Sequence, residues 1–272
     1  MNLIDSFIVW HSKKTNGRLR SILARVYLFF ARIKNRIKYG DADRFSFVNI
    51  ELSRSCNRSC SYCPKSKHQK QSDDVIEFGL FKKIISNLKE INYSDKICFT
   101  GYYEPLIFDD LVKYIDHTSK ELPEAKIIIY SNGEALTSEL YDKLSRDNLF
   151  FIISIHEKEP SDNFTRLKEI TSSEDTLFKT NLKDYILSER GGIVEVENKE
   201  TKFSCIFPSL QLTIDSSGDV ILCFDDYFSS YTYGNVREKN LLDIWNDPEF
   251  VKAKEGLVAG KPVKDICKNC FS

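Results

Sequence analysis

The feature that most constrains the fold is a regular alternation of short apolar runs with amphipathic stretches between residues 45 and 155. The apolar runs predict strands at 45–52, 97–100, 126–130 and 150–155. The amphipathic stretches predict helices at 77–90, 108–120 and 134–145. Alternation of this kind indicates parallel strands joined by crossover helices, so we predict an α/β fold built as a complete or partial barrel.

The pattern changes after residue 155. Residues 160–190 are polar, and we predict helices around 162–170 and 180–188 and a last barrel strand at 192–196. Two alternating apolar runs, 210–214 and 220–223, then flank a Ser-Ser-Gly turn and predict a β-hairpin.

This change of pattern divides the chain into three predicted parts. They are a basic amino-terminal segment at 1–44, a barrel at 45–200 and a small carboxyl-terminal domain at 201–272.

The amino-terminal segment is strongly basic, because residues 1–40 carry nine Lys or Arg against one acid, Asp5. Residues 18–38 predict an amphipathic helix. Its apolar positions are Leu19, Ile22, Leu23, Val26, Phe29, Phe30, Ile33 and Ile37, with Arg18, Arg25, Arg32 and Arg36 between them. Such a helix either contacts an anionic membrane surface or an acidic partner, or packs on the main domain.

Bulk properties narrow the functional classes. The chain has 272 residues, a net charge of −1 and eight cysteines. The charge gives no indication of nucleic acid binding, and none is expected. No secretory signal and no run of eighteen apolar residues is visible, so we expect a cytoplasmic protein whose thiols serve metal binding or catalysis.

Directly after the first predicted strand comes a C-x₃-C-x₂-C run formed by Cys56, Cys60 and Cys63. Three thiolates can each hold one corner of an iron–sulfur cubane. The fourth iron then stays open, and a vacant metal position permits chemistry. The alternative is a structural zinc site completed by another cysteine or by His68.

This run resembles the defining motif of the radical S-adenosylmethionine (SAM) superfamily, and the aromatic Tyr62 before the third cysteine matches that family. The resemblance implies a [4Fe–4S] cluster on these cysteines that chelates SAM and cleaves it reductively to methionine and a 5′-deoxyadenosyl radical. It also implies a partial (β/α)6 TIM-like barrel and a reducing partner such as flavodoxin or ferredoxin.

Segments after the next strands also resemble the family. Residues 100–106 are similar to its Gly-Gly-Glu-Pro segment, although Tyr102 and Tyr103 replace glycines. The resemblance implies that the following residues contact SAM: Tyr62, Gly101, Glu104, Ser131, Asn132 and Ser154. The alternative for residues 100–106 is an ordinary turn before a helix.

A second cysteine set lies in the carboxyl-terminal part. Cys205 and Cys223, spaced around Gly218, and the final Cys267 and Cys270 resemble the SPASM and shortened "twitch" extensions of radical SAM enzymes. Four cysteines fit one saturated auxiliary [4Fe–4S] cluster that transfers an electron. A four-cysteine zinc site is the alternative.

Two further side chains are candidate catalytic residues. His156 follows the fourth barrel strand, where it could act as a base. Arg190 precedes two glycines and could bind a carboxylate through its fork of donors, the alternative being a solvated loop arginine.

Three functions fit these observations. The first is a radical SAM oxidoreductase that dehydrogenates a sugar-like or aminocyclitol-like substrate, with the auxiliary cluster as electron acceptor. The second is a peptide-modifying radical SAM enzyme that forms a cross-link or an epimer. The third is a non-catalytic iron–sulfur or zinc protein that binds a partner through its basic helix.

Overall fold

The computed structural model describes residues 17–68, 74–156, 162–179, 189–195 and 204–271. Their strands form a single sheet in the order β5-β4-β3-β2-β1-β6-β7-β8. The strands are β1 Phe47–Ile50, β2 Lys96–Phe99, β3 Lys126–Ser131, β4 Leu149–Ser154, β5 Thr176–Lys179, β6 Gln211–Ile214, β7 Asp219–Ile221 and β8 Thr232–Asn235. The six strands from β5 to β6 are mutually parallel, which confirms the predicted partial barrel, and β7 and β8 add antiparallel pairs.

The helices fall between and after these strands. They are α1 Gly17–Tyr39, α2 Pro64–Lys67, α3 Phe78–Glu90, α4 Leu111–Glu121, α5 Ser138–Leu144, α6 Asp162–Ile170, α7 Leu241–Trp245, α8 Pro248–Val258 and α9 Asp265–Phe271. Short 3₁₀ turns occur at Pro105–Ile107, Arg190–Gly192 and Phe207–Ser209. Within the ranges given above, none of these helices combines the length and hydropathy needed to cross a membrane.

The predicted strand at 192–196 is wrong. Of its residues the structure describes 192–195, and these form the end of a 3₁₀ turn and a bend. Gly191 and Gly192 have φ values of +68° and +91°, which break an extended conformation. The sixth parallel strand is instead β6, which pairs with β1 and also begins the predicted hairpin. Strand β5 was not among the predicted strands. The helix predicted at 180–188 lies outside the described residues.

One continuous hydrophobic core joins the barrel to the carboxyl-terminal helices. Trp245 of α7 is 1% exposed and packs edge-on against Phe45 and Phe250. Its indole N–H donates to the carbonyl of Asp43 at 2.7 Å, so the buried polar atom is satisfied. Because the sheet and the core continue past residue 200, the carboxyl-terminal segment is held rigidly against the barrel.

The parallel arrangement positions the functional residues. The carboxyl ends of parallel strands lie at one edge of a sheet, so the segments after β1, β2, β3 and β4 meet there. The sheet edge therefore gathers the first cysteine run and the predicted SAM contacts.

Candidate active site

The first three cysteines lie on one loop after β1. The backbone amide of Arg58 donates to the sulfur of Cys56, and that of Lys65 donates to the sulfur of Cys63. Burial raises the pKa of both thiols, and the nearby Cys60 adds to the effect. Amide donors aimed at sulfur stabilise thiolates, so the loop fits a metal cluster that would deprotonate these cysteines.

Glu104 organises the segment after β2. Its side chain is 2% exposed, and its Oε1 accepts from the Leu106 amide at 3.0 Å and from the Ser131 hydroxyl at 2.6 Å. Its Oε2 accepts from the Asn132 amide at 2.8 Å. Burial raises the pKa of Glu104, although these hydrogen bonds oppose the shift. Since a carboxylate oxygen has two lone pairs, Oε2 can accept one further donor.

The loop after β3 is tied to the cysteine loop. The Asn132 side-chain amide donates to the side-chain Oδ1 of Asn57 at 2.8 Å, and the Asn57 side-chain amide donates to Glu134 at 2.8 Å. Arg58 forms an ion pair with Glu134. Gly133 makes the turn possible, because its φ is +76° and a Cβ there would lie 2.8 Å from the Ile153 and Leu167 side chains. The structure thus brings Glu104, Ser131 and Asn132 together beside Cys56.

The other predicted SAM contacts lie at the same edge. Gly101 packs under the Tyr103 ring, where a Cβ would come within 3.1 Å of it. Ser154 ends β4 opposite Lys179 of β5. Tyr62 stacks on the His156 ring, with an angle of 11° between the planes, and its hydroxyl is hydrogen-bonded to His156 Nδ1. His156 is therefore a direct neighbour of the cysteine loop.

The second cysteine set also gathers in space. Burial raises the pKa of Cys223 well above its usual value, and the nearby Cys205 and Cys267 contribute. The backbone amide of Asp225 donates to the Cys223 sulfur. Cys270 lies on α9, one turn after Cys267. This all-sulfur donor set suits an iron–sulfur cluster.

In the part of the chain that the structure describes, no three Cys, His, Asp or Glu side chains converge tightly enough to hold a single metal ion. A tetrahedral zinc ion at about 2.3 Å from each sulfur needs such close convergence. The proposal of an iron–sulfur cluster at each site therefore rests on two observations. The donors are cysteine sulfurs, and thiols of the same set lie near enough to raise one another's pKa.

Arg190 lies between the two cysteine sets. Its side chain is 22% exposed and pairs with Asp225 at 3.1 Å, so the solvated alternative does not hold. Burial alone would lower the pKa of Arg190, but Tyr102, Asp225 and Cys63 together raise it above its usual value. Its φ of +49° is unusual for a non-glycine residue. Backbone strain of this kind concentrates at functional sites.

Aromatic rings surround this arginine. The guanidinium lies 5.7 Å from the Tyr102 ring centre and 5.1 Å from that of Phe224, and the two rings stack on each other at 5.1 Å. Cys63 and Cys223, one from each set, both contribute to the raised pKa of Tyr102 after burial, which is the main cause. Within the described residues, the Tyr102 hydroxyl and Arg190 Nε are buried without a hydrogen-bond partner.

Two family models match consecutive parts of the chain. Residues 50–179 match the radical SAM superfamily, and residues 205–271 match SPASM, an iron–sulfur cluster-binding domain. The chain belongs to the radical SAM superfamily. Its second cysteine set lies within the SPASM match, so the first and second metal predictions correspond to the two family segments.

A dehydrogenase is among the relatives of this radical SAM protein. The chain is 29% identical over 231 residues to the S-adenosyl-L-methionine-dependent 2-deoxy-scyllo-inosamine dehydrogenase of Niallia circulans, and the match covers 83% of this chain and 92% of the relative. It is also similar to the crystal structure of BtrN in complex with AdoMet and 2-DOIA, with a TM-score of 0.77 and 29% identity. That match covers 84% of this chain and 94% of BtrN.

A protein solved with a bound peptide shares the fold. Streptococcus suis SuiB bound to its precursor peptide SuiA matches 88% of this radical SAM protein and 72% of SuiB, with a TM-score of 0.60 and 14% identity. At that identity the similarity establishes the architecture only.

Sequence reasoning missed three residues of this radical SAM protein's site. The glycine motif identifies Tyr102 only as a departure from it, and the sequence analysis did not single out Phe224 or Asp225. The signal that could have found them is the concentration of aromatic residues at 224–228, directly after Cys223. Its importance follows only from the contact with Tyr102 and Arg190.

Proposed function

We propose that this radical SAM protein dehydrogenates an aminocyclitol, oxidising a secondary alcohol to a ketone. The activity of the Niallia circulans relative supports the substrate class. The observation that carries the proposal is a pair of buried polar atoms between the two cysteine sets, the Tyr102 hydroxyl and Arg190 Nε, which have no hydrogen-bond partner among the described residues. Buried polar atoms without partners are costly, so this arrangement suits a ligand rich in hydroxyl groups.

The overall reaction removes one hydrogen atom, one proton and one electron from the alcohol. When bound, the first cluster and SAM would supply the radical chemistry that removes the carbon-bound hydrogen, and the second cluster would supply an acceptor for the remaining electron. Cys56, Cys60 and Cys63 would hold the first cluster, and Cys205, Cys223, Cys267 and Cys270 would hold the second as a [4Fe–4S] centre. The protein residues then bind, orient and deprotonate the substrate.

The hydrogen-bonded side of the site binds SAM in this proposal. Glu104 would accept a hydrogen bond from the SAM ammonium group, while Ser131 and Asn132 keep that carboxylate in place. Gly101, Ser154 and Tyr62 line the remainder of the SAM site at the ends of their strands. A charged donor on a buried carboxylate makes a strong hydrogen bond, because its environment has a low dielectric constant.

Arg190 and His156 have different roles when the substrate hydroxyl loses its proton. Since the pKa of Arg190 is raised, its guanidinium cannot accept a proton; it holds the substrate oxygen and stabilises the negative charge that develops there. His156 is our candidate base, because an imidazole accepts a proton near neutral pH.

The cavity beside Tyr102 has the right chemistry for an amine-bearing substrate. It is a narrow cleft that is partly open to solvent. Glu51, Asp215 and Asp226 contribute carboxylates to its lining. Acidic surroundings favour a protonated amine over an anionic or purely apolar ligand.

The test is an anaerobic reaction with reconstituted protein, SAM and 2-deoxy-scyllo-inosamine deuterated at the carbinol carbons. We expect ketone and 5′-deoxyadenosine in equal amounts, with deuterium in the deoxyadenosine. A redox-neutral product would contradict dehydrogenation. Turnover of a peptide but not of the inosamine would favour the peptide-modifying alternative, and zinc without iron on metal analysis would favour the non-catalytic one.

A further inference from the structure

Helix α1 carries a stripe of large apolar side chains that face solvent. Phe29 and Phe30 are each 60% exposed, and Ile37 is 81% exposed. The full stripe consists of Leu19, Ile22, Val26, Phe29, Phe30, Ile33 and Ile37. Successive residues of an α-helix turn by about 100°, so these seven side chains fall within an arc of roughly 100°. The stripe is continuous along most of the helix and is larger than scattered surface apolar residues would give.

The opposite face of α1 attaches the helix to the body of the protein. Leu28 packs with Ile206 and Leu210, and it lies about 180° around the helix from Leu19. Asn35, also buried, donates to the Arg44 carbonyl at 2.7 Å. The apolar stripe therefore points directly away from the packed face.

A buried ion cluster fixes the carboxyl-terminal end of α1. Asp95, at the start of β2, accepts from Lys34 at 2.6 Å and Tyr39 at 2.8 Å and pairs with Lys38 at 3.1 Å. Burial opposes ionisation, but these partners together lower the pKa of Asp95. The helix is thus held in one orientation with its stripe outward.

Basic residues border the stripe. Arg25, Arg32 and Arg36 lie along one edge of it and are exposed. Arg32 pairs with Asp43 at 2.9 Å but keeps about half of its side chain accessible. This edge of the stripe therefore carries three exposed positive charges, one of them paired with an acid.

We propose that α1 lies in the interface of an anionic lipid bilayer, with its apolar stripe inserted and its arginines against lipid phosphates. A helix with an apolar face bordered by Lys and Arg is the physical signature of in-plane membrane binding. The catalytic body would then be held at the membrane surface through Leu28, Asn35 and Asp95. This inference is independent of the proposed dehydrogenase activity.

The charge pattern favours lipid over a second copy of the chain. Pairing two stripes would bring two rows of arginines together, and like charges at close range oppose association. An anionic lipid surface instead attracts each arginine and accepts the phenylalanine rings below the headgroups.

The experiment is co-sedimentation of the full-length reconstituted protein with two kinds of vesicle: phosphatidylcholine alone, and phosphatidylcholine mixed with phosphatidylglycerol. We expect binding to the anionic vesicles that weakens with added salt. Phe29→Gln/Phe30→Gln should weaken it about 100-fold, taking roughly half of the full burial value for each ring. Arg25→Gln/Arg36→Gln should weaken it about 25-fold, since each basic residue near an anionic surface contributes about fivefold.

Matched controls remove similar groups elsewhere. Val75→Gln/Leu177→Gln removes two other exposed apolar residues, and Lys143→Gln/Lys239→Gln removes two other exposed charges. Both should bind vesicles as the parent does, and all variants should still form 5′-deoxyadenosine, which verifies folding.

Absence of binding to anionic vesicles by the parent overturns the proposal. So does equal weakening by the control pairs. A concentration-dependent dimer in sedimentation velocity that is abolished by Phe29→Gln/Phe30→Gln, without vesicle binding, would assign the stripe to a second copy instead.

Discussion

The polar side chains that we assign to SAM and those that we assign to the substrate lie at one edge of the sheet, but the two groups differ in how completely they are hydrogen-bonded. On the SAM side, Glu104, Ser131 and Asn132 satisfy one another. On the substrate side, Tyr102 and Arg190 both pack against the Phe224 ring, and two of their polar atoms have no hydrogen-bond partner in the part of the chain that the structure describes. A satisfied network is preorganised without a ligand, whereas unpaired atoms gain their partners only when a ligand binds.

This difference suggests a division between cofactor and specificity. SAM is common to the superfamily, so hydrogen bonds within the protein can fix the geometry of its site before SAM binds. The substrate is particular to each enzyme, and discrimination is strongest where a missing hydroxyl would leave a buried donor unpaired. The following predictions test that division.

The largest effects should separate the two cysteine sets. Cys63→Ala removes a proposed ligand of the SAM-binding cluster, so we expect loss of all 5′-deoxyadenosine formation. Cys223→Ala removes a proposed ligand of the auxiliary cluster, so we expect 5′-deoxyadenosine to form while the ketone is lost. Both products are measured by chromatography from one reaction. If Cys223→Ala still made ketone at the parent's ratio, the auxiliary set would not be the electron acceptor.

Arg190→Gln should lower kcat for ketone formation about 10³-fold, because it removes a buried positive charge from the developing oxyanion. Arg190→Lys should recover part of the loss, since it keeps the charge but not the planar fork. The division predicts an unchanged Kd for SAM in both variants, measured by the spectral change of the cluster. A comparable loss of SAM affinity would place Arg190 on the cofactor side.

The effect of His156→Gln on the reaction should be compared with that of Arg190→Gln, because both residues are proposed to act on the substrate hydroxyl. If His156 is the base, its loss should lower kcat for ketone formation by about 10²-fold or more and leave the Kd for SAM unchanged. An unchanged kcat in His156→Gln, with weaker SAM binding, would instead limit His156 to supporting Tyr62.

Local patterns in the sequence were sufficient for four strands of the fold and for the hypotheses about the SAM side of the candidate site. Strand and helix periodicity located β1 to β4, and the spacing of Cys56, Cys60 and Cys63 on a post-strand loop indicated the cluster. Glu104 could be carried over because one segment contains both the acid and its turn. These features depend on residues close together in the chain.

The substrate side depends on contacts between distant segments, which local patterns do not encode. Tyr102 and Phe224 are more than 100 positions apart and meet only because β6 joins the sheet beside β1. The strand expected at 192–196 failed for a related reason. That segment turns so that Asn269 of α9 can donate to the Gly191 carbonyl at 2.7 Å, which holds Arg190 beside the auxiliary cysteines.

Glu104→Gln should raise the Kd for SAM about tenfold or more, because it removes the charge that receives the ammonium group. The raised pKa of Glu104 adds a pH test. The carboxylate protonates as the pH falls through this raised pKa, so the parent's SAM affinity should decline at a higher pH than for an ordinary glutamate. Glu104→Gln should bind weakly without that decline.

Glu134→Gln is the control for Glu104, since Glu134 belongs to the same network but is more exposed. We expect only a small change in SAM affinity, with the pH dependence retained. Equal effects of the two substitutions would mean that the network as a whole, and not the Glu104 charge, binds SAM.

The smallest effect should come from Tyr102→Phe, and its sign is the most informative. Without ligand the Tyr102 hydroxyl has no hydrogen-bond partner in the described ranges, so its removal should leave the free energy of unfolding unchanged or raise it by up to about 1 kcal/mol. The neighbouring Tyr103 hydroxyl donates to the Ile50 carbonyl at 3.2 Å, so Tyr103→Phe should lower that free energy by about 1 kcal/mol. With substrate the order reverses: kcat/KM should fall about fivefold for Tyr102→Phe and stay near the parent value for Tyr103→Phe. Loss of stability in Tyr102→Phe would mean that this hydroxyl is satisfied within the protein. The substrate side would then be as complete as the SAM side, and the contrast between them would disappear.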